Sequence, residues 1–349
     1  MNTQYTAEEL YFSIESLMPY KCAFNFVIGG RGTGKTYGAL KYMLEHKERF
    51  IFMRRSQTQL EQVMNTKTFK MESGETKTVS LNPFKAIERD TGMHVEINRV
   101  SKDLYAIFYE EELAGYGVAM NTISNIRGFD ASDVDFLIYD EFIPEPGTMQ
   151  KENEGDLFLN AYESINRNRE LNGRPPLYAY LLANANDIDA NIMMGLGMTD
   201  VAEKAINKGK KKVVNKAEQY TLSLLENKKF EEEKKKTAIY KFTRKLAYNK
   251  MAFQNKFAYD DFTNICSKDI KEYKPLWNIG DYYIYGHKSR DEYYISLCKM
   301  HTKESYAESE YGIDQFKSAH GRFMYGAYIE GRILFETYRC KKLLTDIVA

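Results

Sequence analysis

A glycine-rich segment near the start of the chain has the residue types and spacing of an anion-binding loop. It matches the pattern G-x-x-x-x-G-K-[ST], follows the apolar run 24–28, and precedes a helical pattern at 37–45. Glycines let backbone N–H groups surround an anion, and the amino end of the following helix adds its dipole. This context predicts a nucleotide-binding loop in which Lys35 contacts the β- and γ-phosphates and Thr36 is a ligand of Mg²⁺. The predicted nucleotide-binding residues of the loop are Gly29, Gly30, Arg31, Gly32, Thr33, Gly34, Lys35 and Thr36.

Two acids follow another apolar run, about a hundred residues further along the chain. Residues 136–139 are Phe-Leu-Ile-Tyr, and Asp140 and Glu141 come directly after them. An apolar strand that ends in an acid pair is the Walker B pattern. We expect Asp140 to hold Mg²⁺ beside Thr36, and Glu141 to orient or deprotonate the water that attacks the γ-phosphate. The glutamate therefore favours ATP hydrolysis over nucleotide binding without turnover.

Other polar residues at the ends of predicted elements are weaker candidates. Arg167 lies late in a helical pattern, where it is either a finger that acts on a neighbouring copy's γ-phosphate or a helix-end or surface ion pair. Asn184 ends the apolar run 177–183, so it either senses the γ-phosphate or begins a plain turn. Arg54 and Arg55 close another apolar run, and they either face phosphate or form a solvated strand end.

Three zones of different composition indicate the domain organisation. Over 1–200, short apolar runs alternate with helical patterns, which predicts an α/β sheet with helices on its faces. Over 201–259, lysine and arginine outnumber glutamate, which indicates a basic helical linker or a surface facing nucleic acid. Over 260–349, two strand-like runs precede a long helical pattern that extends through Tyr338, which suits a small α/β domain. The strand-like runs of the first zone are 24–28, 50–53, 94–98, 104–109, 134–139 and 177–183.

Composition excludes several classes of protein. The 349 residues carry 49 Lys and Arg against 49 Asp and Glu, so a nucleic-acid partner must be met by a local basic patch. The 4 Cys residues include no C-x-x-C pair, which excludes a zinc ribbon and indicates a reducing compartment. The first 21 residues lack the pattern of a secretory signal, and no apolar stretch is long enough to span a membrane.

The joint order of these motifs resembles one known family. The glycine-rich loop, the Arg54-Arg55 pair, Leu113-Ala114-Gly115, Asp140-Glu141 and 167–170 occur at similar spacing in the genome-packaging ATPases of small protein-primed podophages, the phi-29-type DNA packaging motors. The resemblance runs over nearly the whole chain. It implies a P-loop ATPase domain of the ASCE type, a helical linker, and a small carboxyl-terminal domain similar to a ribonuclease H-like nuclease.

The resemblance also implies function and partners. It implies a homopentameric ring that uses ATP and Mg²⁺ to drive double-stranded DNA into a procapsid, located at the portal vertex in the host cytoplasm, with a packaging RNA in some members. It makes Lys35, Glu141 and Arg167 the catalytic residues, with Arg167 acting on the neighbouring subunit and Arg169 as its substitute. The alternatives are a P-loop nucleotide kinase and a nucleotide-gated DNA-binding protein without turnover.

Two features depart from the family pattern or leave it open. The segment after Asp140-Glu141 is acidic and contains proline where the family is basic, so we expect DNA contacts at Lys151 or, within the basic stretch, at Lys210, Lys211 and Lys212. In the last zone, Asp281, Asp291 and Glu292 are candidate nuclease ligands without an obvious third partner at the end of the hairpin. We therefore expect a vestigial nuclease fold without activity.

Overall fold

The computed structural model describes residues 11–126, 131–145, 148–151, 153–225, 232–233, 235–242 and 262–348. The chain forms two compact units, Met1–Tyr259 and Asp260–Ala349. Within the described residues, no helix combines the length and the apolar character needed to cross a membrane.

The first unit is built on a nine-stranded sheet with helices on both faces. Its strands are β1 (Phe24–Gly29), β2 (Phe50–Arg54), β5 (Val95–Arg99), β6 (Leu104–Tyr109), β7 (Glu112–Ala119), β8 (Phe136–Asp140), β9 (Tyr178–Asn184), β10 (Lys212–Asn215) and β11 (Tyr220–Leu225), and a separate hairpin pairs β3 (Thr66–Lys70) with β4 (Thr76–Ser80). Its helices are α1 (Lys35–Glu45), α2 (Gln57–Met64), α3 (Phe84–Thr91), α4 (Glu154–Asn166), α5 (Asn191–Gly195), α6 (Met198–Asn207) and α7 (Ala238–Phe242).

The strand order of this sheet is β10-β11-β1-β9-β8-β2-β7-β6-β5. The six strands from β11 to β7 are parallel. The antiparallel pairings involve the outer strands, β10 on one side of the sheet and β6 and β5 on the other. Strands β1, β2, β8 and β9 are almost wholly buried, which explains their continuous apolar runs, since helices cover both faces of a parallel sheet. All parallel strands end at one edge, called here the carboxyl edge.

Contacts in the core show which helices cover each face of the nine-stranded sheet. Leu40 and Met43 of α1 pack with Ile138 of β8 on one face, together with apolar residues of α2 and α3. On the other face, the ring of Phe158 in α4 stacks on Tyr139 at a centroid distance of 5.6 Å. Consecutive residues of β8 therefore face opposite helical layers, as the alternation of side chains along a strand requires.

The second unit contains a smaller mixed sheet. Its strands are β12 (Tyr273–Ile279), β13 (Tyr282–His287), β14 (Tyr293–Ser296), β15 (Glu304–Tyr306) and β16 (Ile333–Phe335), in the order β15-β12-β13-β14-β16. Its helices are α8 (Glu310–Phe316), α9 (Arg322–Ile329) and α10 (Tyr338–Val348), with a π-helical turn at Lys317–Gly321 joining α8 to α9. The last strand, β16, pairs in parallel with β14 at one side of this sheet.

The structure corrects two predictions about organisation. The helical linker predicted for 201–259 is wrong over 201–225, because this stretch contains α6 and the strands β10 and β11, and β11 pairs with β1 inside the first sheet. The long helical pattern predicted to extend through Tyr338 is interrupted. Gly331 adopts φ 70°, and the apolar residues of β16 then pair with β14 in the sheet. The six apolar runs of the first zone correspond to β1, β2, β5, β6, β8 and β9.

Candidate nucleotide-binding site

The glycine-rich loop connects the buried strand β1 to the first helix, α1. Gly34 precedes the helix with φ 77°, a left-handed conformation that glycine adopts without strain. Gly34 makes no side-chain hydrogen bond to the helix, and the backbone N–H groups at a helix start suit the binding of an anion. The Thr33 hydroxyl donates to the Gly30 carbonyl oxygen at 2.9 Å and closes the loop on itself.

The Lys35 ammonium lies inside this loop and is buried. Its Nζ donates to the carbonyl oxygens of Gly29 at 3.1 Å and Gly30 at 2.9 Å, and to the Thr33 hydroxyl at 3.3 Å. It also donates to Oδ1 of Asn184 at 3.2 Å. These four acceptors are neutral, so they orient the ammonium without cancelling its charge. Asn184 reaches it because β9 pairs with β1, with Asn184 opposite Gly29.

The acid pair lies at the same carboxyl edge as the loop. The Thr36 hydroxyl donates to Oδ1 of Asp140 at 2.6 Å, so the structure brings together the two residues expected to hold Mg²⁺. Both groups present oxygen, the ligand atom that Mg²⁺ prefers, and Mg²⁺ sites usually combine one or two protein oxygens with waters and phosphates. A cavity of about 290 Å³ is bordered by the loop, Asp140, Glu141 and Asn184.

Glu141 has an unusual backbone and a specific partner. Its φ of 55° lies in the left-handed region, which a non-glycine residue adopts only when its surroundings hold it there. Its side chain is 46% exposed, and Oε2 lies 2.9 Å from an Arg54 guanidinium nitrogen. The same nitrogen lies 3.1 Å from Oδ2 of Asp140, whose side chain is 10% exposed. Arg54 therefore bridges both acids.

The structure answers the question that the sequence left open for the arginine pair. Arg54 contacts the acid pair from the neighbouring strand β2, and neither arginine is a solvated strand end, since both are buried. Arg55 pairs with the buried Glu154 carboxylate at the start of α4 and donates to the Met149 carbonyl oxygen at 3.2 Å. Buried arginines require carboxylate partners, but their burial depends on the neighbouring strands, so the sequence pattern alone left the partners of this pair open.

Arg31 occupies the outer side of the loop. Its guanidinium lies 2.5 Å from the carboxylate of Glu145, which belongs to the acidic segment after the acid pair. Both side chains are substantially exposed, at 65% and 44%. An exposed pair of this kind adds little to stability, about 0.5 kcal/mol. It nevertheless joins the loop to the segment that follows β8.

Arg167 does not meet the other candidates within one chain. It is exposed and directly follows α4, which starts near the carboxyl edge and returns along the sheet to the opposite edge. There the Asn166 side chain accepts the backbone N–H of Leu177 at 2.8 Å, just before β9 begins. The five residues of β8 alone separate the two edges by about 16 Å. Any action of Arg167 on a phosphate must therefore be on a neighbouring copy.

Arg169 is placed differently from Arg167. It is buried, and its guanidinium donates to the Val134 carbonyl oxygen and pairs with Asp135 at the start of β8. Such a side chain is held against its own sheet and is not presented to a neighbour. The interpretation of Arg169 as a substitute finger is therefore not supported, because its contacts are those of a residue that fixes the end of α4.

The lysines expected to contact DNA do not form a single patch. Lys151 is exposed in the segment before α4, where its backbone N–H donates to Oε1 of Glu154 at 3.0 Å. Lys210, Lys211 and Lys212 are exposed where α6 leads into β10, and the Lys212 ammonium lies 5.0 Å from the centroid of the Tyr20 ring. Strands β8 and β10 are four strand spacings apart, about 19 Å. Lys151 and the three lysines at 210–212 therefore cannot both lie next to the acid pair.

The acids of the second unit are separated by its topology. Asp281 lies in the turn between β12 and β13, whereas Asp291 and Glu292 lie at the other end of β13, about 20 Å away. Asp291 pairs with Arg332 at 2.7 Å, and Glu292 accepts the Tyr273 hydroxyl at 2.5 Å. Across the described parts of both units, no group of three or more His, Cys, Asp or Glu side chains is placed to hold a metal ion.

The strand that precedes the glycine-rich loop, β1, and the strand that precedes the acid pair, β8, lie two positions apart in one mixed α/β sheet. The chain belongs to the podovirus DNA encapsidation protein (Gp16) family, whose model matches residues 6–283.

Two phage DNA packaging proteins are similar to this chain in sequence. The chain is 25% identical to the DNA packaging protein of Bacillus phage B103 over 70% of this chain and 67% of that protein. It is 22% identical to the DNA packaging protein of Bacillus phage phi29 over 76% and 71% of the two chains.

Two solved structures share the fold. The first is a chain of the bacteriophage Phi-29 viral genome packaging motor assembly, with a TM-score of 0.60, 18% identity, and coverage of 97% of this chain and 98% of that chain. The second is the Phi-28 gp11 DNA packaging motor, with a TM-score of 0.53, 18% identity and coverage of 97% of both chains.

Proposed function

We propose that this chain is the ATP-hydrolysing subunit of a ring-shaped motor that moves double-stranded DNA into a phage procapsid. The single observation that supports this most is the convergence of Lys35, Thr36, Asp140 and Glu141 at one sheet edge. Membership of a DNA encapsidation family supplies the nucleic-acid side of the proposal. Its proposed partners are duplex DNA, the procapsid portal and further copies of the chain, which places it at the portal vertex in the host cytoplasm.

Each residue at the edge has a defined task in this proposal. Lys35 and the N–H groups at the start of α1 bind the β- and γ-phosphates. Thr36 and Asp140 hold Mg²⁺, which neutralises charge on the phosphate oxygens. Glu141 orients the attacking water and accepts its proton. Asn184, which accepts a hydrogen bond from Lys35, links the presence of the γ-phosphate to the position of β9.

Arg54 determines where the Glu141 carboxylate lies. One guanidinium nitrogen contacts Oδ2 of Asp140 and Oε2 of Glu141, so Glu141 orients water through Oε1 while Arg54 holds the carboxylate in place. Water activation is therefore coupled to the position of β2, the strand that carries Arg54.

The neighbouring subunit completes the site. Arg167 is exposed on the edge opposite its own phosphate loop, so a ring that juxtaposes these two edges would place it near the next subunit's γ-phosphate. A permanently charged guanidinium stabilises the charge that develops there. Hydrolysis in one subunit would then depend on the position of the next.

The basic test is ATP turnover by the full-length chain with and without duplex DNA, in the presence of Mg²⁺. We expect turnover that DNA stimulates, and that falls with salt because the contacts are to phosphates. Turnover that DNA leaves unchanged would favour a nucleotide kinase. Absence of turnover in every assembly, with ATP still bound, would favour a nucleotide-gated binding protein.

A mixing experiment tests the shared site. Arg167→Ala and Glu141→Gln chains are each expected to be inactive alone, whereas their mixture recovers part of the activity, since Glu141→Gln copies supply Arg167 to intact acid pairs. The control is the double variant, which cannot complement itself. Arg174→Ala is the matched arginine control, because Arg174 is also exposed near the end of α4 and contacts the Ser132 carbonyl oxygen. A mixture as inactive as its components would contradict the shared site.

A further inference from the structure

A second cavity lies beside the phosphate loop and is lined by aromatic rings. It has a volume of about 440 Å³ and lies between the segment 11–15 and one exposed face of α1. Tyr11 and Phe12 contribute from the segment, and Tyr37 and Tyr42 contribute from the helix. This aromatic cleft is not used by any of the phosphate-binding or water-activating residues described above.

The segment that forms one wall of the cleft is fitted closely onto the loop and the helix. The Phe12 backbone N–H donates to the Thr33 carbonyl oxygen at 2.9 Å. A Cβ atom at Gly34 would lie 2.6 Å from Cβ of Tyr11, and one at Gly38 would lie 2.0 Å from the Phe12 carbonyl oxygen. Both glycines are therefore needed for this approach, and Tyr11 is held directly against the phosphate loop.

Tyr37 connects the aromatic cleft to the phosphate cavity. It follows Thr36 in the chain and borders both cavities, so a group attached to a phosphate chain on the loop would extend past its ring. The rings of Tyr37 and Tyr11 have centroids 6.1 Å apart at an angle of 46° and form a corner. Burial and the Asp90 carboxylate raise the pKa of the Tyr37 phenol, so its ring is neutral at physiological pH.

We propose that the aromatic cleft is the nucleobase subsite of this phosphate loop, and that it takes the base of a purine nucleoside triphosphate, whose face stacks on Tyr37 while the Tyr11 ring packs against its edge. The inference rests on the proposed function, because it requires the loop to bind a triphosphate. A flat aromatic base suits a wall of tyrosine rings, and a purine offers a larger face than a pyrimidine. Glu15 at the rim of the cleft offers acceptor oxygens to an exocyclic amine.

The test compares ATP with inorganic tripolyphosphate, which has the phosphate chain and no base. Equilibrium binding to the full-length chain is measured with Mg²⁺ for Tyr37→Ala and Tyr11→Ala. Because an aromatic ring in contact with a base contributes to its binding, we expect ATP affinity to fall about tenfold for each variant, with tripolyphosphate affinity unchanged. Tyr37→Phe keeps the ring and should bind ATP as the unchanged chain does.

Two further variants keep the test decisive. Gly38→Ala displaces the segment while leaving both rings in the sequence, and it should also reduce ATP affinity selectively. Tyr325→Ala is the matched control, because this tyrosine is exposed in the second unit. Tyr37→Leu fills a similar volume without a π face, so it replaces Tyr37→Ala if that variant does not fold.

The outcomes separate this inference from the proposed function. Equal weakening of ATP and tripolyphosphate, or no change in either, would overturn the nucleobase subsite while leaving the phosphate loop in place. Equal loss of ATP and CTP affinity in the tyrosine variants, from equal starting values, would overturn the purine preference. Failure of the unchanged chain to bind either ATP or tripolyphosphate would overturn the proposed function itself.

Discussion

The nine-stranded sheet of the first unit brings its acid pair and the loop lysine together at one edge, whereas the five-stranded sheet of the second unit distributes Asp281, Asp291 and Glu292 over both. In the first, the strands β1 and β8, which lead to Lys35 and Asp140, end at the same edge because they run parallel. In the second, Asp281 and Asp291 are ten positions apart in sequence yet lie at opposite ends of β13, because that strand runs antiparallel to both neighbours. Strand direction, more than sequence proximity, determines whether polar residues can act together.

The partners of the acids differ in the same way. Asp140 shares a mostly buried guanidinium with Glu141 and also accepts the Thr36 hydroxyl. Asp291, whose side chain is 68% exposed, pairs with Arg332 at the surface. Burial strengthens the first interaction, and solvent screens the second. Changes at the first edge should therefore alter both function and stability, whereas changes in the second unit should be small.

The largest expected effect is on turnover. Glu141→Gln should reduce the ATP hydrolysis rate at least about 100-fold, since it removes the group that accepts the proton from water. ATP binding should be retained, because the glutamine keeps the size of the side chain. Steady-state hydrolysis and equilibrium binding measure the two effects.

The control for this change is in the second unit. Asp291→Asn should leave the rate of ATP hydrolysis within about twofold, because only its surface pair with Arg332 is altered. Full activity in Glu141→Gln would show that another group activates the water.

The next effect is on stability. Arg54→Ala should destabilise the fold by about 3 kcal/mol, because it leaves the Asp140 carboxylate buried without its guanidinium. A bound cation would partly replace that guanidinium, so millimolar Mg²⁺ should raise the melting temperature of the variant more than that of the unchanged chain. Thermal unfolding with EDTA and with Mg²⁺ measures this.

The matched change to Arg54→Ala is Arg54→Lys, which keeps the positive charge but loses the planar guanidinium. The Arg54→Lys chain should be more stable than Arg54→Ala and less stable than the unchanged chain. If Mg²⁺ stabilised all three chains equally, Asp140 would not be the group that holds the cation.

A smaller effect is expected on affinity. Asn184→Asp places a carboxylate where an amide oxygen now lies 3.2 Å from the Lys35 ammonium. The new ion pair would compete with phosphate for Lys35, and we expect ATP affinity to fall about tenfold, which corresponds to about 1.4 kcal/mol. Calorimetric titration measures it. Asn184→Ala removes the amide without adding charge, so an equal loss in both variants would exclude the competition.

Local sequence patterns predicted most of the residues at the carboxyl edge of the first sheet, but not the contacts between side chains from different strands. The loop at 29–36 could be predicted because strand, glycines, lysine and helix follow one another directly, and the same holds for Asp140 after β8. The bridge from Arg54 to Asp140 spans 86 positions and depends on β2 lying beside β8, which no local pattern encodes. Strand β11 was missed for a related reason, since its apolar residues lie within a highly charged stretch and it is stabilised by pairing with β1.

The smallest expected effect is on the stability of the second unit. Arg332→Ala removes ion pairs to Asp291 and to Glu330, whose side chains are 68% and 60% exposed. We expect only a small loss in the free energy of unfolding, because both carboxylates remain hydrated when the guanidinium is removed. Denaturant unfolding of the full-length chain measures the loss, which should shrink at 1 M salt. A loss as large as that of Arg54→Ala would mean that the second unit depends on this arginine as the first depends on Arg54, and that exposure does not distinguish the two.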